Sequence, residues 1–174
     1  EEDLKRRDFT VNALAIDEEG NLFDYFSGLK DLKLKLFRHI GPEFSDDPLR
    51  LIRLARFLAA YPDFSVHFST QKLCNEIVTA GEIKTLSKER IWTEFSKGLL
   101  SQKPSKMVDF LEETHAWNDI TSVKNVSYDT KNKIDFLSKS NESLFWMAAL
   151  LFLNCDNSKV HCLIPNKVIS CKKI

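Results

Sequence analysis

The stretch Ser45-Asp-Asp-Pro-Leu-Arg-Leu-Ile-Arg-Leu-Ala-Arg-Phe-Leu-Ala-Ala60 decides how the 174-residue chain folds. Acidic residues followed by a proline are typical of the start of a helix. At about 100° per residue, one half of that helix carries Asp47, Arg50, Arg53 and Arg56. Apolar residues also lie among the arginines, so the pattern predicts a helix that is buried on most of its sides.

The three arginines of this helix need partners, because an unpaired buried charge costs several kcal/mol. Carboxylates of the same protein are one possibility, and a bound anion is the other. The helix taken alone favours neither. Asp47 also has a structural explanation, as an acid that caps the helix or interacts favourably with its dipole.

The composition is that of an ordinary globular protein, with 43% hydrophobic and 29% charged residues. The 25 basic and 25 acidic residues balance, so any nucleic-acid site must be a local patch. The four cysteines show no C-x-x-C spacing, which predicts free thiols in a reducing cytoplasm and no zinc site. The longest apolar run, residues 144–153, is too short to span a bilayer, so no membrane association is expected.

The chain divides into a β-containing start and a helical remainder, which predicts an α+β fold. Short apolar runs on either side of the turn Asp17-Glu-Glu-Gly-Asn21 predict a β-hairpin. A short helix over 29–36 and a strand over 37–40 follow. From Asp47 onward only helices are predicted: 47–60, one capped by Ser69 or Thr70, one capped by Ser87, 104–117, 131–138, 143–153 and a weakly helical tail at 159–174.

Two further charged groups could carry chemistry. Arg6-Arg7-Asp8 could hold a phosphate through bidentate hydrogen bonds, although a solvated loop is the commoner explanation for such a sequence alone. Glu89-Arg90 is best explained as a structural link between helices. The four histidines are far apart in sequence and lack a Ser or Cys partner pattern, so they predict no catalysis.

Phosphoryl transfer usually requires converging carboxylates that hold metal ions, typically in an Asp-x-Asp on a strand. The sequence contains no such strand motif, no G-x-x-x-x-G-K-[ST] loop and no G-x-G-x-x-G loop. We therefore predict no catalytic residue and no metal ligand in this chain.

Four segments, in order along the chain, resemble motifs of the class II tRNA nucleotidyltransferases, which comprise the CCA-adding enzymes and the related bacterial poly(A) polymerases. Residues 6–13 resemble the family's RRDxTxNA motif, and 24–32 resemble its D-x-x-x-G-x-x-D-L hinge. Residues 46–50 resemble its E-D-x-x-R nucleotide-selecting motif, with Asp46 in place of the usual Glu, and 86–91 resemble its helix-stabilising motif. The structural positions of these motifs are Asp24, Gly28, Asp31, Glu89 and Arg90.

The resemblance implies nucleotide contacts for six residues: Arg7, Asp8, Asp47, Arg50, Arg53 and Arg56. Asp47 is expected to accept a hydrogen bond from the exocyclic amine of cytosine or adenine, and Arg50 to donate to the ring. Protein side chains thereby replace a nucleic-acid template, and a wrong base leaves buried polar groups unpaired. Arg53 and Arg56 are expected on the base or phosphate side of the nucleotide, and Asp8 near its ribose.

The resemblance also implies a domain organisation and a reaction. Residues 1–40 are expected to be the C-terminal part of the nucleotidyltransferase head domain, 41–104 a nucleotide-selecting helical neck, and 105–174 the start of a helical body. The expected function is addition of CMP and AMP, from CTP and ATP, to the 3′ end of tRNA in the cytoplasm.

The family's G-G-x-x-R-D loop and its metal-binding D-x-D are expected before residue 1, together with Mg²⁺. As given, the chain is therefore predicted to be an inactive fragment. Poly(A) polymerase of the same family is an alternative, although the hairpin around 15–21 and Tyr61-Pro62 favour the CCA-adding branch. A non-catalytic RNA-binding or scaffold protein is the alternative from another class.

Overall fold

A computed structural model describes residues 2–121, 125–139 and 151. Its helices are α1 (Glu2–Lys5), α2 (Gly28–Lys33), α3 (Leu49–Ala60), α4 (Phe68–Thr79), α5 (Lys88–Leu99), α6 (Pro104–Glu113), α7 (Ala116–Thr121) and α8 (Tyr128–Leu137). Its strands are β1 (Ala15–Ile16), β2 (Leu22–Phe23), β3 (Leu36–Phe37) and β4 (Ser65–Val66), and 3₁₀ turns cover Thr10–Asn12, Pro42–Asp46 and Glu82–Thr85. The α+β class is confirmed. Within the described residues, every helix is too short or too polar to cross a membrane.

The predicted hairpin is present but short. β1 and β2 pair antiparallel, with Ala15 opposite Phe23 and Ile16 opposite Leu22. The carboxylate of Asp17 accepts hydrogen bonds from the backbone and side-chain amides of Asn21 at 2.7 and 2.9 Å, which closes the turn. Only two residues of each strand pair, because the first apolar run begins with the 3₁₀ turn at Thr10–Asn12 instead of a strand.

The prediction that only helices follow Asp47 is wrong. β4 lies between α3 and α4 and pairs in parallel with β3, with Leu36 opposite Ser65 and Phe37 opposite Val66. The partner strand comes before α3 in the chain. A strand of two residues has no periodicity of its own, so only this distant pairing defines it.

Helix α3 forms the centre of the core, as its sequence predicts. Leu51, Ile52 and Leu54 are fully buried, and the helix packs against α5 and α6. Burial of each such side chain stabilises the fold by about 1.5–3 kcal/mol. α5 also lies close to α6 at Gly98, where an added Cβ would lie 2.3 Å from the sulfur of Met107 in α6.

Two predicted helix boundaries are wrong. His67, and not Ser69 or Thr70, occupies the N-cap position of α4, and the Thr70 hydroxyl is buried and accepts the backbone N–H of His39 at 3.0 Å. The helix predicted over 104–117 is interrupted at His115, whose φ of 62° is left-handed, so that α6 and α7 are separate. The predicted cap Ser87 is confirmed, and it accepts the backbone N–H of Arg90.

The remaining helix predictions concern the C-terminal third. α8 starts at Tyr128 and not at residue 131, because Ser127 caps it by accepting the backbone N–H of Thr130 at 3.1 Å. The helix predicted over 143–153 and the tail at 159–174 lie outside the described residues, apart from Leu151.

A buried polar network joins the N-terminal part of the chain to α4. Asp31 accepts hydrogen bonds from the Thr10 hydroxyl at 2.7 Å and from Arg38 Nε at 2.9 Å. Arg38 Nη1 lies 2.7 Å from His67 Nε2. Because a guanidinium can only donate, this ring nitrogen must accept, so the folded state holds His67 neutral. Burial lowers the pKa of His67, the charge of Arg38 lowers it further, and Asp31 opposes both.

We predict that this network makes stability depend on pH between about pH 7.5 and 5.5. The folded-state pKa of His67 lies below its ordinary value of about 6.5, so the unfolded state binds more protons and the free energy of unfolding falls as pH falls. His67→Gln retains an acceptor for Arg38 but cannot titrate. Urea unfolding at both pH values should show a smaller loss for this variant than for the wild type.

The matched control for this prediction is His115→Asn, which removes a histidine outside the network and keeps a residue that tolerates left-handed backbone. It should retain a larger pH dependence than His67→Gln. His39, whose pKa burial also lowers, should leave some dependence in both variants. An equal loss in the wild type and His67→Gln contradicts the prediction.

The polar part of the contact between α3 and α5 is a buried carboxylate. Glu94 is only 5% exposed, and its Oε2 accepts a hydrogen bond from Arg56 Nε at 2.7 Å. Its Oε1 lies 3.6 Å from Arg53 Nη1 and 3.5 Å from Lys97 Nζ. One acid on α5 therefore pairs with two arginines of α3 at this interface.

We predict that Glu94→Ala lowers the free energy of unfolding by about 2–3 kcal/mol, because it leaves Arg56 without its carboxylate partner in a largely buried interface. Partial exposure of Arg53 and Arg56 keeps the loss below that of a fully buried pair. Glu89→Ala is the matched control, since this acid of the same helix is exposed. It should change stability by less than about 0.5 kcal/mol. Equal losses for the two variants in urea unfolding would refute the role of Glu94.

Candidate functional site

The arginine row of α3 forms a continuous ion-pair network with acids from two other parts of the chain. Arg53 donates from Nε to Asp8 Oδ2 at 2.7 Å, and its Nη2 lies 2.6 Å from the same oxygen. Arg50 Nε lies 3.5 Å from Asp8 Oδ1. The three-residue spacing places the arginines along one side of the helix, where Asp8 pairs with the first two and Glu94 with the last two.

Arg50 also connects two separate segments of the chain to α3 through hydrogen bonds. Its Nη1 donates to the carbonyl of Glu43 at 2.6 Å, and its Nη2 donates to the carbonyl of Arg6 at 3.0 Å. The guanidinium thus holds both the start of the chain and the turn at Pro42–Asp46 against α3. All three of its nitrogens have partners within the protein.

Asp47 lies at the start of α3 with both carboxylate oxygens engaged. Oδ1 accepts the backbone N–H of Leu49 at 3.1 Å, which fits its expected role at the helix start. Oδ2 accepts from Arg90 Nη2 at 2.8 Å. Arg90 therefore makes the expected link between helices, from α5 to the first turn of α3. Its neighbour Glu89 is exposed and contributes no side-chain hydrogen bond or ion pair within the described residues.

Arg7 lies apart from this network. Its side chain is about half exposed, and its Nη2 pairs with Asp3 at 3.3 Å. Of the six residues expected to contact a nucleotide, the structure therefore joins Asp8 directly to Arg50 and Arg53 and places Asp47 beside them. Arg56 is connected to this group only through Glu94, and Arg7 lies at the surface.

The hinge-motif residues fix the segment that carries Asp8. Asp24 accepts the backbone N–H groups of Gly28 and Leu29 at 2.6 and 3.0 Å, at the N-terminus of α2. A Cβ on Gly28 would lie 2.2 Å from the carbonyl oxygen of Thr10, so only glycine allows this approach. Together with the buried Asp31, these contacts hold the turn that directly follows Asp8.

Sequence reasoning missed Glu94, the acid that completes the network. It lies three residues after Ile91 and one before Phe95, both buried. An acid within the core-facing stripe of a helix was the available signal, because such a group must find a cationic partner. Lys97, one turn further on, was missed because a lysine at an exposed helix position is ordinary.

The cluster carries an excess of positive charge in a chain whose net charge is zero. Five cationic side chains meet three acids: Arg50, Arg53, Arg56, Arg90 and Lys97 against Asp8, Asp47 and Glu94. Charge-assisted donors in such a place suit an anionic ligand with planar acceptors. Within the described ranges, no group of three or more His, Cys, Asp or Glu side chains is arranged to hold a metal ion.

Two family models match the chain. The Poly A polymerase head domain matches residues 1–38, and the probable RNA and SrmB-binding site of polymerase A matches residues 63–121. The segment between them, residues 39–62, contains all of α3.

Several curated relatives are also similar. A multifunctional CCA protein of Janthinobacterium sp. (strain Marseille) is 47% identical over 116 residues, which cover 67% of this chain and 28% of that protein. A CCA-adding enzyme of Bordetella pertussis is 46% identical over 116 residues, 67% of this chain and 32% of the relative. The chain thus spans about a third of the length of these relatives or less.

A solved structure supports the same relationship. A tRNA-processing enzyme determined with CTP is 29% identical, with a TM-score of 0.78 over 91% of this chain and 48% of that chain. Sequence motifs, family models and fold therefore agree, and the chain belongs to the family of the CCA-adding enzymes and the bacterial poly(A) polymerases.

Proposed function

We propose that this chain supplies the nucleotide-selecting part of a tRNA nucleotidyltransferase, which adds CMP and AMP from CTP and ATP to the 3′ end of tRNA in the cytoplasm. The observation that carries the proposal is the joined acid–arginine network at the start of α3. Relatives that are 46–47% identical over this region and are named for CCA addition support the choice of reaction.

Base selection follows from the chemistry of Asp47 and Arg50. Cytosine and adenine each present an exocyclic amine next to a ring acceptor, which complements a carboxylate next to a guanidinium. Uracil and guanine present an oxygen at the position of that amine, and an oxygen facing a carboxylate is repelled. Such a pair therefore accepts the two correct bases and rejects the others.

The contacts within the protein suggest how the pair is held. Arg90 occupies one oxygen of Asp47 and the Leu49 amide the other, which fixes the orientation of the carboxylate but leaves lone pairs for a base. Arg50 must exchange one of its carbonyl partners, Glu43 or Arg6, to donate to a base. Asp8 is proposed to lie near the ribose and Arg7 to contact the nucleotide.

We further propose that residues 1–40 belong to the head domain, 41–104 to a neck and 105–174 to the start of a body. The matched ranges of the family models support a division near residue 40, although the second range runs beyond residue 104. The family resemblance implies Mg²⁺, which we assign to carboxylates outside the described residues, and we derive no step through it.

Poly(A) addition is the second candidate, because both matching family models are named for poly(A) polymerase. The two reactions leave different products. A CCA-adding enzyme stops after three nucleotides, whereas a poly(A) polymerase extends the RNA with many adenylates. A non-catalytic RNA-binding protein leaves the RNA unchanged.

The proposal is tested with a chimera in which residues 1–121 replace the matching segment of the Janthinobacterium multifunctional CCA protein. We expect the folded chimera to add C, C and A to a tRNA lacking these nucleotides, read by sequencing the product. A long adenylate tail would favour the poly(A) polymerase, and no addition by the folded chimera would favour the non-catalytic protein.

In the same chimera we predict that Asp47→Ala lowers CMP incorporation about 10- to 100-fold and relaxes rejection of UTP, because one hydrogen-bonding half of the base reader is lost. Asp63→Ala is the matched control, since this exposed acid pairs with Lys35 at the surface. It should leave the choice of nucleotide unchanged. Equal discrimination by the two variants would overturn the assignment of Asp47.

A further inference from the structure

Arg56 differs from the other arginines of α3 in how its nitrogens are used. Arg50 and Arg53 each place all three nitrogens on protein oxygens. Arg56 uses only Nε, which donates to Glu94. Neither of its Nη groups donates a hydrogen bond within the described residues, and neither is among the buried unpaired atoms there, so both reach the surface.

The orientation of this guanidinium is fixed nonetheless. Glu94 holds its Nε edge, and the ring of Phe57 lies against the guanidinium with 4.1 Å between Cζ and the ring centroid. A cation over an aromatic face is attracted to the ring, which limits the movement of the guanidinium. With the side chain only 19% exposed, the two Nη groups form a pre-oriented fork at the edge of a buried ion pair.

Lys97 places a second cation beside this fork. Its ammonium lies 3.5 Å from Glu94 Oε1, while Arg56 occupies Oε2 of the same carboxylate. Lys97 is 57% exposed, so its other two N–H donors remain available. One buried acid therefore holds two cations side by side, and the pair keeps a positive charge that Glu94 does not neutralise.

We propose that Arg56 and Lys97 form a phosphate-binding subsite, with Glu94 as the residue that positions both. A fork of two N–H groups binds two oxygens of one phosphate, and an ammonium adds a point charge from the side. Arg56 lies six residues after Arg50, about 9 Å along the helix, so a phosphate of the selected nucleotide or of the adjoining RNA strand can reach it. The choice between these two sources rests on the proposed function.

The test uses the full 174-residue chain and three ligands: CTP, cytidine and a tRNA lacking its terminal CCA. Lys97→Gln removes the ammonium, and Arg56→Lys keeps a cation for Glu94 but removes the fork. Lys133→Gln is the matched control, because Lys133 is 56% exposed and pairs with one acid of its own helix, as Lys97 does. Affinities are measured by calorimetry at low salt, and thermal unfolding establishes that each variant is folded.

We expect both site variants to weaken binding of a phosphate-bearing ligand about tenfold, with cytidine binding and the control within about twofold of the wild type. A loss confined to CTP assigns the phosphate to the nucleotide, and a loss confined to the tRNA assigns it to the RNA. An equal loss for cytidine, no loss for either phosphate ligand, or a wild-type chain that binds neither overturns the subsite. Nucleotide addition by the chimera tests the proposed function separately.

Discussion

The pairing of buried acids with the arginines of α3 is the constraint on which the structure depends. A helix at the centre of the core cannot carry three guanidinium groups unless carboxylates pair with them. Asp8 reaches them from the start of the chain and Glu94 from α5. Each ion pair also fixes the position of the segment that supplies the acid. The contacts that pack the core therefore also assemble the site.

This arrangement resolves the question that the helix sequence leaves open. Internal carboxylates and an anionic ligand need not be alternatives, because the acids neutralise only part of the charge. Asp8 lies between Arg50 and Arg53, whereas Arg56 shares Glu94 with Lys97. The acids stabilise the whole row, and donors without a protein partner remain at the Arg56 end.

The features that sequence predicts well are those that neighbouring residues determine. The start and burial of α3 follow from its own acids, proline and apolar spacing, and the cap Ser87 follows from the helix that it precedes. β4, the cap at His67 and the break at His115 could not be predicted, because a distant strand, a buried hydroxyl and a left-handed residue set them. Likewise the sequence shows the row of arginines, but it does not show that Glu94, which lies in another helix, is their partner.

The hydrogen bonds from Arg50 to the carbonyls of Arg6 and Glu43 affect which substitutions this region tolerates. A carbonyl is part of every residue, so substitutions at positions 6 and 43 leave the acceptors in place. No other natural side chain offers the same spread of donors as arginine, so position 50 has no such freedom. The positions of this site therefore differ in their tolerance to mutation. These hydrogen bonds require arginine at position 50, whereas positions 6 and 43 supply only a backbone carbonyl and can accept other residues.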